Sequence, residues 1–274
     1  MRVVLTLLTR DQADVVDAVV AFHLHAGACH VVAIDHRSRD GTDEILEAYE
    51  RAGVLHLIRE RGEHVRTREW RTAMARLAAE RFSADWVVGA DGDEFWWPRH
   101  GTLGRSLGAV PASHGVVDVP SRTFLPRPAG EERFEERMVY RLAPRAPLLH
   151  PNSPHKPDWK VAHRAERDVV VQGGSHRLLE SALVPLHGWH PLEVLHFPVR
   201  SPAQLERRIA AWRRAGRAWR FERGAIRTAA EAFSSRLLRD EDAAAGVAAG
   251  TIVLDTRLRD LLRAVRRPDA PPAA

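Results

Sequence analysis

Cysteine is almost absent from this sequence. Cys29 is the only cysteine in 274 residues, so the chain can form neither an internal disulfide nor a metal site built from several thiolates. Such sparing use of cysteine is typical of proteins from reducing compartments. We therefore expect a cytoplasmic protein, either free or peripheral to the inner face of the membrane.

Long hydrophobic runs are also missing. No stretch approaches the roughly 20 apolar residues that a membrane-spanning helix needs. Residues 1–11 contain only a short apolar stretch and no small-residue cleavage site, which argues against a signal peptide. We expect this segment to form the first strand of a globular domain.

Lysine is also scarce in this sequence. Only Lys156 and Lys160 are lysines among the 41 basic residues, and the chain has a net charge of +5 and a pI of about 10.2. Such an excess of arginine fits a nucleic acid, anionic lipid headgroups or a phosphorylated substrate as partner. It fits a GC-rich coding bias equally well, because alanine is abundant too. Charge alone therefore selects none of these explanations.

The first hundred residues alternate between strand and helix patterns. Short apolar runs indicate buried strands at residues 3–8, 30–35, 54–58 and from residue 85 onward. Short connections between such elements imply right-handed crossovers and a parallel sheet. Two helix faces are predicted from residues spaced i, i+3, i+4 and i+7. They comprise Val15, Val16, Val19, Val20 and His23 in one helix, and Trp70, Ala73, Met74, Leu77 and Ala78 in another.

Capping residues mark where the first two helices begin. Asp11 or Asp14 is the predicted cap of the first helix. The turn at residues 38–42 is predicted to cap the second, and Asp43 and Glu44 in its first turn suit the helix dipole.

Residues 85–98 are the centre of the site prediction. An apolar run at residues 86–88 indicates a buried parallel strand, and Asp91, Asp93 and Glu94 follow within four residues. Acidic side chains at the carboxyl end of such a strand mark the usual ligand site of an open α/β sheet. Alternation places Asp91 and Asp93 on the same side, and two oxygen ligands there suit Mg²⁺ or Mn²⁺. The pattern predicts a site for a metal ion and a diphosphate.

After Pro98 the sequence predicts short strands separated by loops rich in proline, glycine and arginine. Their positions are 115–120, 138–142, 159–163, 168–171 and 194–197. This pattern favours an antiparallel extension or long active-site loops. Ser201 and Pro202 then open a helix with Gln204 at the third position after the cap. The apolar stripe of that helix is predicted to contain Leu205, Ile209, Trp212 and Trp219.

Three segments together resemble the nucleotide-sugar half of family-2-like glycosyltransferases, which have the GT-A fold. They are Thr6-Leu-Leu-Thr-Arg-Asp11, Val32-Ala-Ile-Asp-His-Arg-Ser-Arg-Asp-Gly-Thr42 and Asp91-Gly-Asp93. Residues 173–177 and 195–201 resemble a branch of that family, and the likeness extends over residues 1–215. The chain departs from the family pattern at Gln12, His36 and Arg39. The resemblance implies a Rossmann-like, mainly parallel sheet with a smaller antiparallel extension and C-terminal helices.

The resemblance also implies roles for the acids. The acid that matches Asp35 holds the nucleotide base, and the one that matches Asp91 contacts the ribose or the metal. Asp93 matches the ligand of a Mn²⁺ or Mg²⁺ ion bound to the donor diphosphate. The implied reaction transfers a sugar from a UDP or GDP sugar to a hydroxyl of a carbohydrate, lipid or small-molecule acceptor, with inversion.

Further residues are candidates for the same chemistry. His196 follows a short strand and is a candidate third metal ligand, or else a strand-end histidine satisfied by the backbone. Lys160 and Arg200 are candidates for stabilising the leaving diphosphate. An inverting enzyme also needs a base for the acceptor hydroxyl. The candidates for this base are Glu94, Asp158, Glu166, His176 and Glu193, and the predicted catalytic set is Asp93, Glu94 and His176.

Several side chains have two interpretations. Trp96 and Trp97 could stack on a sugar ring or pack in the core. Arg66, Arg68 and Arg71 could reach a phosphate, although a solvated helix face is the favoured explanation. The helix at residues 201–219 could contact a partner or a membrane surface instead of the core.

Two other functions compete with sugar transfer. One is a metal-dependent nucleotidyl transferase or phosphohydrolase. The other is a non-catalytic, arginine-rich protein that binds nucleic acid or an anionic surface, although three carboxylates at the ligand edge disfavour nucleic acid. The predicted organisation is a transferase domain at 1–220, divided near residue 100, a helical extension at 221–267 and a disordered tail at 268–274.

Overall fold

The structure is a computed structural model that describes residues 1–128, 130–144, 159–214 and 237–265. Strands and helices alternate through the first part of the chain, as the hydrophobic pattern predicts. These elements are β1 (Val3–Thr9), α1 (Val16–His25), β2 (Ala28–His36), α2 (Thr42–Arg51), β3 (Leu55–Glu60), α3 (Thr67–Glu80) and β4 (Trp86–Asp91).

The elements after β4 are shorter and mostly strands. They are β5 (Glu94–Pro98), α4 (Leu103–Gly108), β6 (Val116–Thr123), α5 (Phe134–Arg137), β7 (Tyr140–Leu142), β8 (Trp159–Arg164), β9 (Val170–Val171), β10 (Leu178–Glu180), β11 (Pro185–Leu186), β12 (Leu192–His196), α6 (Pro202–Arg214), α7 (Asp240–Ala248), β13 (Ile252–Leu254) and α8 (Arg257–Val265). The five short strands predicted after Pro98 all have counterparts here. The sequence patterns missed α4, α5, β10, β11 and β13.

One sheet organises most of these strands. Its order is β3-β2-β1-β4-β8-β6-β12-β5, and β11 pairs with β6 outside this path. Neighbours from β3 to β4 run parallel, whereas β8 is antiparallel to both β4 and β6. A mixed α/β fold with a mainly parallel sheet and an antiparallel extension is therefore confirmed.

The acidic stretch at residues 85–98 is two strands rather than the single strand that we predicted. β4 ends at Asp91, residues 92–93 form a turn, and β5 begins at Glu94. β5 lies at the end of the sheet order opposite β3, four positions from β4. The polar residues Asp91 and Asp93 flank a glycine, and such a sequence suits a reversal of direction better than a continuous buried strand.

The core of the parallel half lies between the sheet and α3. Trp70, Met74 and Ala78 are buried there, as predicted. Ala73 is exposed, and the buried positions are instead completed by Ala75 and Arg71. The buried face of α3 is therefore rotated around the helix by part of a turn relative to the predicted face.

Helix α1 buries its predicted face, which consists of Val15, Val16, Val19, Val20 and His23. The predicted aspartate cap is wrong, because the helix begins after Val15 without a side-chain cap. Trp96 is fully buried in β5, and its backbone N–H donates to His23 Nε2 at 3.1 Å. The ring of Trp97 stacks on Phe22 with 5.8 Å between centroids, so both tryptophans serve packing.

The chain divides into two compact units. The described residues of the first unit are 1–121 and 159–195. Those of the second are 122–128, 130–144, 196–214 and 237–265. The predicted boundaries near residues 220 and 267 fall outside the described residues, as does the predicted tail.

The second unit has its own small core. Phe124 stacks on Phe197 at 4.3 Å between centroids, and Phe134 meets Phe197 edge-on at 5.1 Å. β7 and β13 form an antiparallel pair beside the cluster of Leu125 and Leu238.

Helix α6 begins as predicted. The Gln204 N–H donates to Ser201 Oγ at 3.1 Å, and Leu205 and Ile209 are buried. The side chain of Trp212 and the whole of Trp219 lie outside the described residues. Within the described ranges, every helix is too short or too polar to cross a membrane.

Candidate functional site

The candidate site is built on the carboxyl ends of β1, β2 and β4. Thr9 of β1 pairs with Asp35 of β2, and Leu8 of β1 pairs with Asp91 of β4. Asp35 and Asp91 therefore lie on either side of β1 at one edge of the sheet. Parallel strands bring their carboxyl ends together at this edge, where open α/β sheets usually bind ligands.

The loop after β1 is held by side chains from the loop after β2. Three consecutive backbone N–H groups donate to oxygens of the Ser38–Thr42 turn. The pairs are Asp11 N to Ser38 Oγ at 2.9 Å, Gln12 N to Thr42 Oγ1 at 2.8 Å and Ala13 N to Asp40 Oδ2 at 3.1 Å. Asp11 Oδ1 accepts in return from the Arg39 N–H at 2.9 Å. We call this reciprocal set the loop clamp, and it explains why the turn needs hydroxyl and carboxylate side chains.

Asp35 is buried beside this clamp. Its carboxylate accepts from the hydroxyl of Ser38 and from the Ser38 N–H, the latter at 3.2 Å. Burial raises the pKa of Asp35, although both bonds from Ser38 oppose that rise by favouring the charged form. Ser38 thus connects the Asp35 carboxylate to the backbone of the loop after β1.

His36 has a structural role at the position where the family pattern has an acid or amide. Its Nε2 lies 2.9 Å from the Gly62 carbonyl oxygen, and its Nδ1 lies 3.3 Å from the Arg10 guanidinium. The ring also packs against Trp70, with 4.7 Å between centroids. Burial lowers the pKa of His36, and both contacts suit a neutral ring that donates from Nε2.

A cluster of four charged side chains surrounds the end of β4. Asp91 is ion-paired through one oxygen with Arg71 and through the other with Lys160, whose Nζ lies 3.0 Å away. Lys160 Nζ also lies 2.9 Å from Glu94 Oε1, and Glu94 Oε2 accepts from the Asp91 N–H at 2.9 Å. Arg71 donates in addition to the Ala90 carbonyl oxygen at 2.6 Å. We call these four residues the charge cluster.

The charge cluster contains two cations and two carboxylates, and three of its four side chains are buried. Arg71, Glu94 and Lys160 are buried, whereas the Asp91 side chain is 42% exposed. Burial acts to lower the pKa of Lys160, but the charges of Asp91 and Glu94 outweigh this effect and raise it. The lysine therefore stays protonated, and Asp91 is the member of the cluster that faces solvent.

Gly92 lets the loop after β1 approach the turn after β4. A Cβ atom at this position would lie 3.1 Å from Gln12 Cγ and 3.2 Å from Thr9 Oγ1. The next residue, Asp93, is buried. The turn thus brings Gly92 against the loop after β1, and Asp93 follows it directly in the chain.

The four candidate bases within the described residues all have structural partners. Glu166 accepts from Ser181 Oγ at 2.6 Å, and Glu193 is ion-paired with Arg99 at 2.6 Å. Glu94 belongs to the charge cluster, and Asp158 lies outside the described residues. His176 is partly exposed, and its Nδ1 lies 2.8 Å from the Trp159 carbonyl oxygen. This contact selects the tautomer with hydrogen on Nδ1, which makes Nε2 the basic nitrogen.

His196 and Arg200 belong to the second unit. Arg200 is fully buried and donates to the Phe197 carbonyl oxygen at 2.8 Å, while its own carbonyl accepts from Arg137 at 2.7 Å. The His196 carbonyl accepts from the Phe124 N–H at 2.9 Å. The predicted ligand role of His196 and phosphate role of Arg200 stay predictions.

Arg71 is the site residue that the sequence interpretation placed wrongly. We favoured a solvated helix face for Arg66, Arg68 and Arg71, which holds for the exposed Arg66 and Arg68. Arg71 is buried with its guanidinium on Asp91. A signal was present, because Arg71, Met74, Ala75 and Ala78 follow the spacing i, i+3, i+4 and i+7 of a buried stripe.

Comparison with known proteins identifies no matching family model and no matching curated protein. Solved structures that resemble the chain include glycosyltransferases. TarS 1–349 from S. aureus, in complex with UDP-GlcNAc, is 15% identical with a TM-score of 0.46, and the match covers 86% of this chain and 72% of that one. Glucosyl-3-phosphoglycerate synthase from Mycobacterium tuberculosis, in complex with Mn²⁺, UDP and glucosyl-3-phosphoglycerate, is 16% identical with a TM-score of 0.29, over 49% and 46% of the two chains. A 4-diphosphocytidyl-2C-methyl-D-erythritol synthase is 15% identical with a TM-score of 0.31, over 48% and 66%.

Proposed function

We propose that this protein is a glycosyltransferase of the GT-A type that moves a sugar from a nucleoside-diphosphate sugar to an acceptor hydroxyl. One observation carries the proposal: the strand register brings Asp35 and Asp91 to the same edge of the sheet, on either side of β1. The sequence resemblance gives these two acids, together with Asp93, the contacts to the donor. Their convergence at the ligand edge supports that assignment.

Asp35 is the proposed contact to the nucleotide base. A carboxylate accepts hydrogen bonds from ring N–H groups, which uracil and guanine both possess, so this contact is compatible with a donor of the UDP or GDP type. The contact requires the ionised acid. Because burial raises the pKa of Asp35, nucleotide affinity should increase as the pH rises through that pKa.

Asp91 and Asp93 are the proposed protein ligands of Mn²⁺ or Mg²⁺. Ions of this kind bind through one or two carboxylates together with substrate phosphates and water, so two acids at the turn after β4 fit such an ion. Within the described residues, no group of three or more His, Cys, Asp or Glu side chains is arranged to hold a metal. When bound, the ion would neutralise negative charge that develops on the leaving diphosphate. The metal-ligand role of His196 stays a prediction from the sequence.

The remaining site residues have proposed roles in orientation and proton transfer. Arg71, Lys160 and Glu94 hold Asp91 in one orientation at the donor site. His176 Nε2 takes the proton of the acceptor hydroxyl as the hydroxyl oxygen attacks the anomeric carbon. The bond from that carbon to the diphosphate breaks in the same step, which inverts the configuration. The diphosphate-stabilising role of Arg200 likewise stays a prediction from the sequence.

Calorimetric titration with UDP and GDP tests the donor site. Wild type should bind one of them in the presence of Mn²⁺, and EDTA should abolish the binding. Asp93→Ala should lose it as well, because a carboxylate ligand is gone. Asp168→Ala is the matched control, since Asp168 is an exposed acid of the same unit away from the turn after β4.

The reaction product separates the competing functions. Sugar transfer releases nucleoside diphosphate, whereas nucleotidyl transfer or phosphohydrolysis releases monophosphate, pyrophosphate or phosphate. The arginine-rich binding protein predicts a different result. Its binding to nucleic acid or to an anionic surface would survive EDTA, depend steeply on salt and be unaffected by Asp93→Ala. The absence of metal-dependent binding for every nucleotide tried would refute the transferase proposal.

A further inference from the structure

An exposed tryptophan directly precedes Lys160 of the charge cluster in the chain. Trp159 is 46% exposed, although it opens β8, the strand that also contributes Lys160. Single exposed apolar side chains are common on protein surfaces, so the polar groups around this indole decide whether the surface suits a ligand. Lys160 Nζ reaches Asp91 and Glu94, so Trp159 is the sequence neighbour of a residue at the proposed donor site.

The antiparallel register places polar groups on the same face as this indole. Trp159 pairs with Pro120 of β6, and Val161 pairs with Asp118. Directly paired residues point to the same side of a sheet, and residues two apart on one strand share that side. Trp159 and Asp118 therefore belong to one face, and the Asp118 side chain is 38% exposed there.

Two histidines complete the surface. The His190 ring lies 4.9 Å from the Trp159 ring, between centroids, at an angle of 57°, and its Nδ1 is 2.8 Å from the Asp118 carbonyl oxygen. His187 is exposed, with Nδ1 3.5 Å from Asp118 Oδ2. The result is a flat apolar ring flanked by hydrogen-bonding groups on one side. We call Trp159, His190, His187 and Asp118 the indole face.

We propose that the indole face binds the acceptor, and that the acceptor is a neutral pyranose sugar. A pyranose presents a C–H-rich surface that suits an indole, and its equatorial hydroxyls suit the surrounding imidazole and carboxylate groups. The exposed Asp118 carboxylate disfavours acidic sugars through like-charge repulsion. This inference rests on the proposed sugar transfer and names the chemical class of the acceptor in that reaction.

His176, the proposed base, lies next to the indole face. Its Nδ1 donates a hydrogen bond to the carbonyl oxygen of Trp159, so the proposed base is held by the backbone of a residue in the indole face. Lys160, the next residue, fixes Asp91. A sugar on the indole would thus be positioned by the same short strand that orients the base and the donor carboxylate.

Ligand-detected NMR tests this inference without knowledge of the natural acceptor. The probes are methyl glycosides of glucose, N-acetylglucosamine and glucuronic acid at millimolar concentration, with saturation transferred from the protein. Wild type should saturate the ring protons of a neutral glycoside more than those of the glucuronide. Trp159→Ala should reduce the affinity about tenfold, and Trp159→Phe should retain part of it. Leu179→Ala, which removes another exposed apolar side chain of the same unit, should change nothing.

UDP affinity, measured on the same variants, separates the two proposals and checks the fold. Unchanged UDP binding with lost glycoside binding in Trp159→Ala supports the inference. UDP binding in every variant, with no saturation transfer to any glycoside or equal transfer in Trp159→Ala, overturns it and leaves the donor site intact. Stronger saturation of the glucuronide overturns the assignment to a neutral sugar. Glycoside binding through Trp159 in a protein that binds no nucleotide supports a sugar-binding face and refutes the transferase.

Discussion

Lys160 shows how much depends on single residues of this protein. It is one of only two lysines, it is buried, and it lies between Asp91 and Glu94. Arginine is the ordinary cation of this chain, but its planar fork is much larger than an ammonium group. A compact charge is suited to a buried position between two carboxylates.

Lys160→Met should destabilise the protein severely. The substitution leaves buried Glu94 without its cation, and breaking a buried ion pair in this way costs about 3–5 kcal/mol. Denaturant unfolding measures the loss. The double variant Lys160→Met with Glu94→Gln should recover part of the stability, because the uncompensated charge is removed.

Lys156→Met is the control for this pair, since it replaces the only other lysine. Equal losses in Lys160→Met and Lys156→Met would argue against the charge cluster. An absence of rescue by Glu94→Gln would show that Glu94 is not the group left uncompensated.

At the scale of elements, the two loops after β1 and β2 behave as one piece. The loop clamp satisfies the backbone N–H groups of residues 11–13 with side chains from the turn that precedes α2. Asp40 is central, because its carboxylate also accepts from the N–H and hydroxyl of Thr42, at 3.2 and 2.5 Å. The side chains of Ser38, Asp40 and Thr42 in this turn thus have a structural role, because they hold Asp35 and the loop after β1.

Asp40→Ala should destabilise the loop clamp. The variant leaves the N–H groups of Ala13 and Thr42 without their acceptor, which costs about 1–3 kcal/mol in total stability. Amide hydrogen exchange at residues 11–13 should accelerate. Asp43→Ala is the matched control, since both changes remove an acid near the start of α2 and only Asp40 belongs to the clamp. Similar exchange at residues 11–13 in the two variants would contradict this role.

At the scale of the whole molecule, buried histidines make stability depend on pH. His23 is fully buried, with Nδ1 2.6 Å from the Val19 carbonyl oxygen and Nε2 accepting from the Trp96 N–H. Burial lowers the pKa of His23 to about 4 from the ordinary value of 6.5. Burial lowers the pKa of His163 in the same way.

The folded protein should therefore lose stability as the medium becomes acidic. The unfolded chain binds a proton near pH 6.5, whereas folded His23 resists protonation until about pH 4. The contribution of His23 is complete above pH 6.5 and falls by up to about 3 kcal/mol as the pH drops to 4. Unfolding of wild type and His23→Gln at pH 7.5 and 5 measures it. Since His163 acts in the same direction, the variant should flatten the pH dependence only in part, and an unchanged slope would refute the role of His23.

Local patterns in the sequence were sufficient for the parallel half of the fold and for part of the site. Hydrophobic periodicity gave β1 to β4 and their helices, because burial of one face imposes that period on neighbouring residues. The acids Asp35 and Asp91 could be placed at one edge, since parallel strands share their direction. The break between β4 and β5 was missed, although Asp91, Gly92 and Asp93 are residue types that favour a turn.

The partners of those acids were decided only by the tertiary structure. Arg71 is 20 residues and Lys160 is 69 residues from Asp91 along the chain, and their contacts depend on how α3 and β8 pack on the sheet. The exposure of Trp159 and the burial of Trp96 follow in the same way from strand order. The sequence by itself determined which chemical groups this protein has and which strands end in them. Long-range packing decided which of those groups neutralise one another and which face solvent, because no local pattern encodes a contact between distant segments.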